Sequence, residues 1–422
     1  GKTVVVNGTF KYIQSQPQNI FKVLQVPIQG IVEGAEIIAF LFIVGGAFSV
    51  ISKTKAIDFG ILRIVEIFKG KEILVLPILI FMFSLGGATF GMSEESVAFI
   101  AILLPLVLAL GYDSIVAMCV TYLACNLGFS SAMLNPFTVG IGQSIAEVPL
   151  YSGVEYRTII WFITTAVGCA FVMIYAMKIK KNPKLSPVFE SDQIKHEKLK
   201  DIQSESAEFT TSHKIIVLSL FIGIGIIVYG VLKLEFWIPE IAGIFLAVGL
   251  ISGIVGKLEP NEMASAFTEG AKDMIGAAIL IGFARSIMII AQNANIIDTI
   301  LFNLSNAIGH LPSLIAAYIM LPIQMFINFF VNSGSGQAAL TMPILAPLGD
   351  LVGISRQLTV LIYQLGDGFS NAMFPTSGVL IACLGIAGIP YGKWLKWIIP
   401  LQIILFICSL GFITVAKLIG WA

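Results

Sequence analysis

Uncharged or nearly uncharged stretches follow one another along most of the chain, near residues 34–53, 73–93, 96–112, 114–146, 158–177, 215–232, 241–256, 272–291, 311–349, 356–392 and 397–418. Each approaches or exceeds the roughly 20 apolar residues needed to cross about 30 Å of hydrocarbon. The pattern predicts a chain made almost wholly of membrane helices. Two regions depart from it. The first 27 residues are polar and read as a loop following a helix, which predicts one more helix before Gly1. The stretch Lys178–Lys214, with KIKKNPK, Pro183, Pro187 and mixed charges, reads as a solvated linker between two halves.

Laying the second half over the first reveals an internal repeat. EGAEIIAFLFIVGGAFSVI from Glu33 matches EGAKDMIGAAILIGFARSIMI from Glu269, and Ile57-Asp58 matches Ile297-Asp298. Glu94 in FGMSEES then follows Asp58 at the same spacing as Gly334 in VNSGSGQ follows Asp298. GFSSAMLNPFTVG from Gly128 matches GFSNAMFPTSGVL from Gly368, with one residue deleted. An odd number of crossings between Glu33 and Glu269 makes the two repeats inverted. Placing the linker in the cytoplasm puts most Lys and Arg inside, as the positive-inside rule prefers.

The predicted fold is an all-α polytopic membrane protein of two inverted repeats, each with a re-entrant helical hairpin and a broken transmembrane helix. An extracytoplasmic segment (1–30) precedes repeat 1 (31–180), with its hairpin near 73–110 and broken helix near 113–147. A cytoplasmic linker (181–213) and connecting scaffold helices (214–257) lead to repeat 2 (258–422), with its hairpin near 311–350 and broken helix near 356–391.

Matching interruptions in inverted repeats point to secondary transport, because alternating access needs two related halves around a midplane site. Gly128, Asn135 and Pro136 in one half, and Gly368, Asn371, Pro375 and Gly378 in the other, would break a helix and free backbone groups for a ligand. Ser130, Ser131, Asn135 and Thr138, with Ser370, Asn371, Thr376 and Ser377, supply neutral oxygens there. A kinked helix packed through Ser and Gly is the plainer alternative. The tips FGMSEES and NSGSGQ read as hairpin turns, their glycines (Gly86, Gly87 and Gly91; Gly334 and Gly336) suited to close packing. Two full crossings that leave Glu94 and Glu95 in water are the alternative.

Composition narrows the class. The chain has 422 residues, 57% hydrophobic and 12% charged, with mean hydropathy +0.93. That excludes an ordinary soluble enzyme. Its net charge is zero, and no basic patch suggests nucleic acid. Cys119, Cys125, Cys169, Cys383 and Cys408 lie in apolar segments without CxxC spacing and read as packing residues rather than a disulfide framework or a metal site. HExxH, GxSxG, Walker A and GxGxxG motifs are absent, no cofactor is implied, and the linker is too short for a nucleotide-hydrolysing domain.

Ionisable side chains inside membrane segments are costly and therefore functional candidates. They are Glu94 and Glu95 at the first tip, Asp367 alone in its uncharged run, and Arg285, for which pairing with an acid such as Asp367 is the structural alternative. His310 reads as interfacial, and Trp161, Trp237, Trp394, Trp397 and Trp421 as interface anchors. The acids suggest a cationic group on the substrate, or coupling to Na+ or H+.

GGAFSVISKTKAIDFGI, FGMSEESVAFI, SSAMLNPFTVGIGQSIAEVPLYSG and the segment from NSGSGQAALTM to GIPYGKW together resemble the YfcC-like basic amino acid antiporter family. That family is grouped with arginine/ornithine exchangers and anaerobic C4-dicarboxylate carriers of the ion transporter superfamily. The resemblance runs from about Gly30 to near the end. It implies a homodimer in the bacterial inner membrane whose transport domain moves as an elevator against a scaffold. By motif, that domain would hold FGMSEES, NSGSGQ, GFSSAMLNPFT and GFSNAMFPTSG. It also implies one helix before this chain begins.

The expected function is exchange of a basic amino acid such as arginine, ornithine or lysine. The candidate substrate contacts are Ser93, Glu94, Glu95, Asn126, Ser130, Ser131, Asn135, Thr138, Asn332, Ser333, Gly334, Ser335, Asp367, Ser370, Asn371, Thr376 and Ser377. Glu94, Glu95 and Asp367 would hold the side-chain cation, with hydroxyl, amide and hairpin N–H groups on the α-carboxylate and α-amino groups. The alternatives are a sodium- or proton-coupled carrier of C4-dicarboxylates or other small carboxylates, which would use Arg285 or the hydroxyls, and a channel.

Overall fold

The computed structural model describes residues 11–13, 16–56, 59, 72–195, 210–234, 236, 238–296, 299, 302–303, 308 and 311–421. The landmarks Ile57, Asp58, Ile297 and Asp298, and the residues Trp237 and His310, lie outside the described residues. Among the described residues the regular structure is helical, with no strand. Four of these helices, Val154–Lys181, Ile238–Val255, Ser313–Phe330 and Tyr391–Leu418, are each long and apolar enough to cross a bilayer.

The first helix, α1 (Ile20–Glu33), corrects the loop expected before residue 30. Asn19 starts it by accepting the Lys22 N–H at 2.9 Å. It turns by 55° into α2 (Ala35–Lys53). In the second half, Glu259 and Glu262 form a reciprocal capping box that starts α10 (Pro260–Asp273), which leads through Met274 into α11 (Ile275–Asn293). The two helix pairs interlock, α1 lying on α11 and α2 on α10. Gly30 and Gly282 meet at one crossing, and Gly45 and Gly270 at the other, so closely that a Cβ on Gly30 or Gly270 would fall 2.1 or 2.2 Å from a carbonyl oxygen of the facing helix.

The first hairpin is α3 (Glu72–Phe90) and α4 (Ser96–Ala109). Next come α5 (Ser114–Ser130), then α6, a π-helical turn at Pro136–Gly140 continued by Ile141–Ile145, then α7 (Val154–Lys181). Helices α8 (Thr211–Lys233) and α9 (Ile238–Val255) stand between the halves. The second hairpin is α12 (Ser313–Phe330) and α13 (Gly334–Leu351), followed by α14 (Arg356–Asn371), α15 (Gly378–Ala387) and α16 (Tyr391–Leu418).

Contacts between these elements come in matched pairs. α3 lies along α5 as α12 lies along α14; α4 meets α15 as α13 meets α6; α5 and α14 cross each other at the centre. In so apolar a chain this buried crossing is where polar side chains collect. Asn126, Ser130, Gln364, Asp367 and Ser370 are all buried there.

Two sequence expectations change. The start of the linker is docked, not solvated: residues 189–195 are helical, and Asp192, 2% exposed, accepts the Ser114 N–H at 2.7 Å and its hydroxyl at 2.6 Å. Lys195 donates to Asp192, Ser114 and Ala387 O, each at 2.7 Å, so the linker ties the start of α5 to the end of α15. Trp394 is no interface anchor; it is 0% exposed and donates its indole N–H to Ala372 O at 2.8 Å. Cys119, Cys125, Cys169 and Cys383 are buried and unbridged, as packing residues.

Candidate functional site

In the first half the break falls at residues 131–135, between α5 and α6. Gly128 does not cause it. That residue stays helical, and a Cβ on it would lie 1.8 Å from Ser84 O, while one on Gly87 would lie 2.2 Å from Cys125 O. These glycines bring the α3 and α5 backbones into contact. Asn135 and Pro136 make the break: the Asn135 side-chain oxygen accepts the Phe137 N–H at 2.8 Å, and Pro136 restarts the helix without an N–H to satisfy. Within the break, Met133 and Leu134 donate their N–H groups to Ala88 O at 3.1 and 3.0 Å. Upstream, Cys119–Leu123 widens into a π-turn, and Tyr122 donates its hydroxyl to Asn371 O at 2.9 Å, across to the second half.

The second break spans residues 372–377. Gly368 also stays helical; its Cβ would meet Ser130 Cα at 2.4 Å, so the two broken helices touch backbone to backbone. Asn126 donates to Gly368 O at 2.9 Å across this crossing. Asn328 on α12 donates its amide to Asp367 O at 2.9 Å and to Ser370 Oγ and Asn371 Oδ1 at 2.7 Å. Asn332 donates to Asn371 Oδ1 at 2.7 Å. Ala372 O and Met373 O are taken by Trp394 and the Tyr391 hydroxyl, and Ser377 caps α15 at Leu380 N.

Each hairpin tip reaches both broken helices. Gly91, with φ +78°, sits where a Cβ would be 2.7 Å from Asn135 Oδ1, and Ser96 contacts Cys383 of α15 at 3.6 Å. At the other tip Ser333 caps α13, and a Cβ on Gly334 would lie 2.7 Å from Thr138 Cγ2 and 3.4 Å from Asp367 Oδ2. Tyr363 holds Gly334 O with its hydroxyl at 2.5 Å.

The structure thus links Asn126, Ser130, Asn135, Thr138, Asn332, Ser333, Gly334, Asp367, Ser370 and Asn371 through the crossing and the tips. Ser130 and Ser131 spend their hydroxyls on the Asn126 and Leu127 carbonyls of their own helix. Ser335 and Thr376 have no described contact to the others. Glu95 is 8% exposed and accepts the Ser93 N–H at 3.1 Å; Glu94 is half-buried, and Glu95, Arg285 and Glu36 act on it electrostatically. No described contact joins these glutamates to Asp367, and Arg285 is not its partner: both Asp367 oxygens are buried without a hydrogen bond. Thr138 Oγ1, Thr376 Oγ1, Asn126 Oδ1 and Asn135 Nδ2 are likewise unpartnered.

Three features escape the sequence. Gln324 and Gln337 bond each other and Thr341 between the arms of the second hairpin. Gln364 reaches the first break, donating to Ala132 O at 3.1 Å. Arg157 is 0% exposed and donates to Gln364 Oε1. Its position just before the apolar stretch 158–177 makes it resemble a flanking charge, and only the observed start of α7 at Val154 puts it one turn inside a helix.

Comparison with known proteins places these elements in context. The profile of the C4-dicarboxylate anaerobic carrier family, DcuC, matches residues 1–418. A protein of Escherichia coli (strain K12) named "Putative basic amino acid antiporter YfcC" is 45% identical over 415 residues, covering 94% of this chain and 82% of the relative. An uncharacterized protein of Haemophilus influenzae (strain ATCC 51907 / DSM 11121 / KW20 / Rd) is 30% identical over 402 residues, covering 95% and 79%. Among solved structures, the Alcanivorax borkumensis YdaH transporter aligns with a TM-score of 0.46 at 16% identity, over 100% of this chain and 94% of that one. Neisseria gonorrhoeae MtrF aligns with a TM-score of 0.38 at 15% identity, over 98% and 89%.

Proposed function

The chain belongs to the C4-dicarboxylate anaerobic carrier family and is a multi-pass membrane transporter, not an enzyme; from that premise we propose that it is a basic amino acid antiporter working by an elevator mechanism. The observation that carries this reading is that each hairpin tip reaches both broken helices and that an acid stands at each tip. Glu94 and Glu95 supply negative charge at one tip and Asp367 at the other, the complement of a substrate with a cationic side chain. The name carried by the 45% identical relative points the same way.

The remaining assignments follow the same reading. The paired contacts of α3–α5 with α12–α14, and of α4–α15 with α13–α6, support two inverted repeats. The hairpins and broken helices would form the moving unit. Helices α8 and α9 would join the scaffold, in a homodimer of the bacterial inner membrane with the 181–213 linker in the cytoplasm. Ser93, Ser131, Ser333, Ser335, Thr376 and Ser377 are assigned to the substrate layer. The carrier activity for which the family is named favours a second reading, a sodium- or proton-coupled carrier of C4-dicarboxylates, in which Arg285 or the hydroxyls would meet the anion.

Counterflow in proteoliposomes separates these. Vesicles of full-length protein preloaded with arginine or ornithine should accumulate labelled arginine without an ion gradient, saturably, with lysine competing and succinate not. Succinate uptake that requires a sodium or proton gradient would replace this reading with the carrier. A flux that neither saturates nor counterflows would replace it with a channel.

A further inference from the structure

Two unlike charges are buried near the first break, and neither is neutralised by the other. Arg157 is 0% exposed; its guanidinium donates to Gln364 Oε1 and lies 5.5 Å from the Trp421 ring centroid, and its Nε and Nη2 have no partner. Asp367 is also 0% exposed, with neither carboxylate oxygen bonded. The described ion pairs are Lys195–Asp192, Arg356–Glu147 and Arg356–Asp350, so no described acid pairs with Arg157 and no described base with Asp367. Taking a charge from water without pairing it is among the costliest arrangements a fold can hold. A protein retaining two of opposite sign is suited to a ligand that carries both.

The geometry says where the ligand's charges belong. Gln364 and Asp367 are three residues apart on α14 and therefore share a face. Gln364 carries Arg157 on one side and bonds Ala132 O, at the start of the first break, on the other. Asp367 lies beside Gly334 and Thr138, just past the end of that break, where Thr138 Oγ1 is buried and unpartnered. Gln364 thus stands at the start of residues 131–135 with the positive group held behind it, and the negative group lies one turn further along α14, beside the second tip. A dicarboxylate would satisfy Arg157 but be repelled by Asp367.

We propose that Arg157 and Asp367 form a head-group site at the first break, the guanidinium receiving the α-carboxylate of an amino acid and Asp367 its α-ammonium group. This rests on the basic amino acid reading and deepens it: Asp367 moves from the side-chain cation to the α-ammonium group, leaving Glu94 and Glu95 for the side chain. A planar guanidinium suits the carboxylate, because it offers two parallel donors.

Binding of L-arginine and of agmatine, the same molecule without its carboxylate, to purified full-length protein tests the assignment. The wild-type protein should prefer L-arginine at least tenfold. Arg157→Gln should weaken L-arginine at least tenfold and leave agmatine unchanged, bringing the ratio near one, whereas Asp367→Asn and Glu94→Gln should weaken both alike. A purely structural role for Arg157 would shift both ligands together, and that result overturns the proposal. So does a wild-type protein that binds agmatine as tightly as L-arginine, a measurement that holds even if Arg157→Gln fails to fold. Failure of the underlying function looks different: the wild-type protein would bind neither ligand and would bind succinate.

Discussion

The two halves close their breaks with different chemistry at matched positions. In the repeat alignment Ala88 corresponds to Asn328, Met92 to Asn332, and Leu127 to Asp367. Among the described hydrogen bonds, the first break is held to its hairpin by backbone alone, Met133 and Leu134 donating to Ala88 O. The second is held by side chains, Asn328 and Asn332 converging on Asn371. The acids have changed sides as well. Glu94 stands on the first tip where Gly334 stands on the second, while Asp367 stands on the broken helix opposite a glycine. A crossing backbone can therefore be kept while its charges move from one partner to the other. What remains common is glycine at the closest approaches, and what differs is the polar chemistry a ligand would meet.

That comparison predicts equal sensitivity at the shared glycines. A Cβ on Gly128 would lie 1.8 Å from Ser84 O, and one on Gly368 2.4 Å from Ser130 Cα, in both cases against backbone that cannot swing away. Overpacking usually costs about 1–3 kcal/mol, and contacts against backbone belong at or above the top of that range. Gly128→Ala and Gly368→Ala should each abolish the monodisperse peak in detergent gel filtration. A stable protein from one but not the other would show that the two crossings are unequal.

The halves should part company at the next pair. Asn328→Ala removes the donor to Asp367 O, Ser370 Oγ and Asn371 Oδ1 inside a buried layer, where an unsatisfied group costs about 1–3 kcal/mol. The protein should melt at lower temperature and lose arginine counterflow roughly tenfold or more, on the relation of about 1.4 kcal/mol to a factor of ten. Ala88→Ser adds only a hydroxyl beside a carbonyl that backbone already occupies, and its counterflow should stay within about twofold, because a hydrogen bond from a new neutral donor contributes little net. Equal damage from both substitutions would erase the distinction between backbone and side-chain closure.

Much of this architecture is legible in the sequence. Asn135-Pro136 and Asn371 with Pro375 mark the breaks by pairing an Asn with a nearby Pro, whereas Pro77, Pro105, Pro322, Pro343, Pro347 and Pro400 lie inside helices and mark none; the tips FGMSEES and VNSGSGQ end α3 and α12 at Phe90 and Phe330. Gly128 and Gly368 mislead, since a glycine that permits a crossing and one that ends a helix look alike in one dimension. The inward faces are hidden: α3 is apolar all round, so periodicity cannot say which side meets α5. Asp192 and Lys195 are hidden because their mixed-charge surroundings read as solvated linker, and Arg157 is hidden for another reason. At the edge of an apolar run a charge reads as a flank, and only the fold shows whether it turns inward.

The smallest expected effect lies at the helix starts of the two tips. Ser333 caps α13 by accepting the Gly336 N–H at 3.3 Å, whereas Glu95, in the equivalent place before α4, makes no side-chain cap bond and turns back to Ser93 N instead. Removing a serine cap costs about 1 kcal/mol. Ser333→Ala should therefore speed amide exchange at Gly336 and Gln337 about fivefold, with the rest of the chain unmoved, on the same relation of free energy to rate. Glu95→Gln should leave exchange at the start of α4 unchanged while weakening arginine binding, because its amide oxygen can still accept from Ser93 N but carries no charge. If Glu95→Gln loosens α4 as Ser333→Ala loosens α13, the glutamate is a cap and the first tip is built like the second. If it changes binding alone, the charge of Glu95, as distinct from its bond to Ser93 N, is not needed to hold α4, which is what an exchangeable counter-charge for a substrate side chain requires.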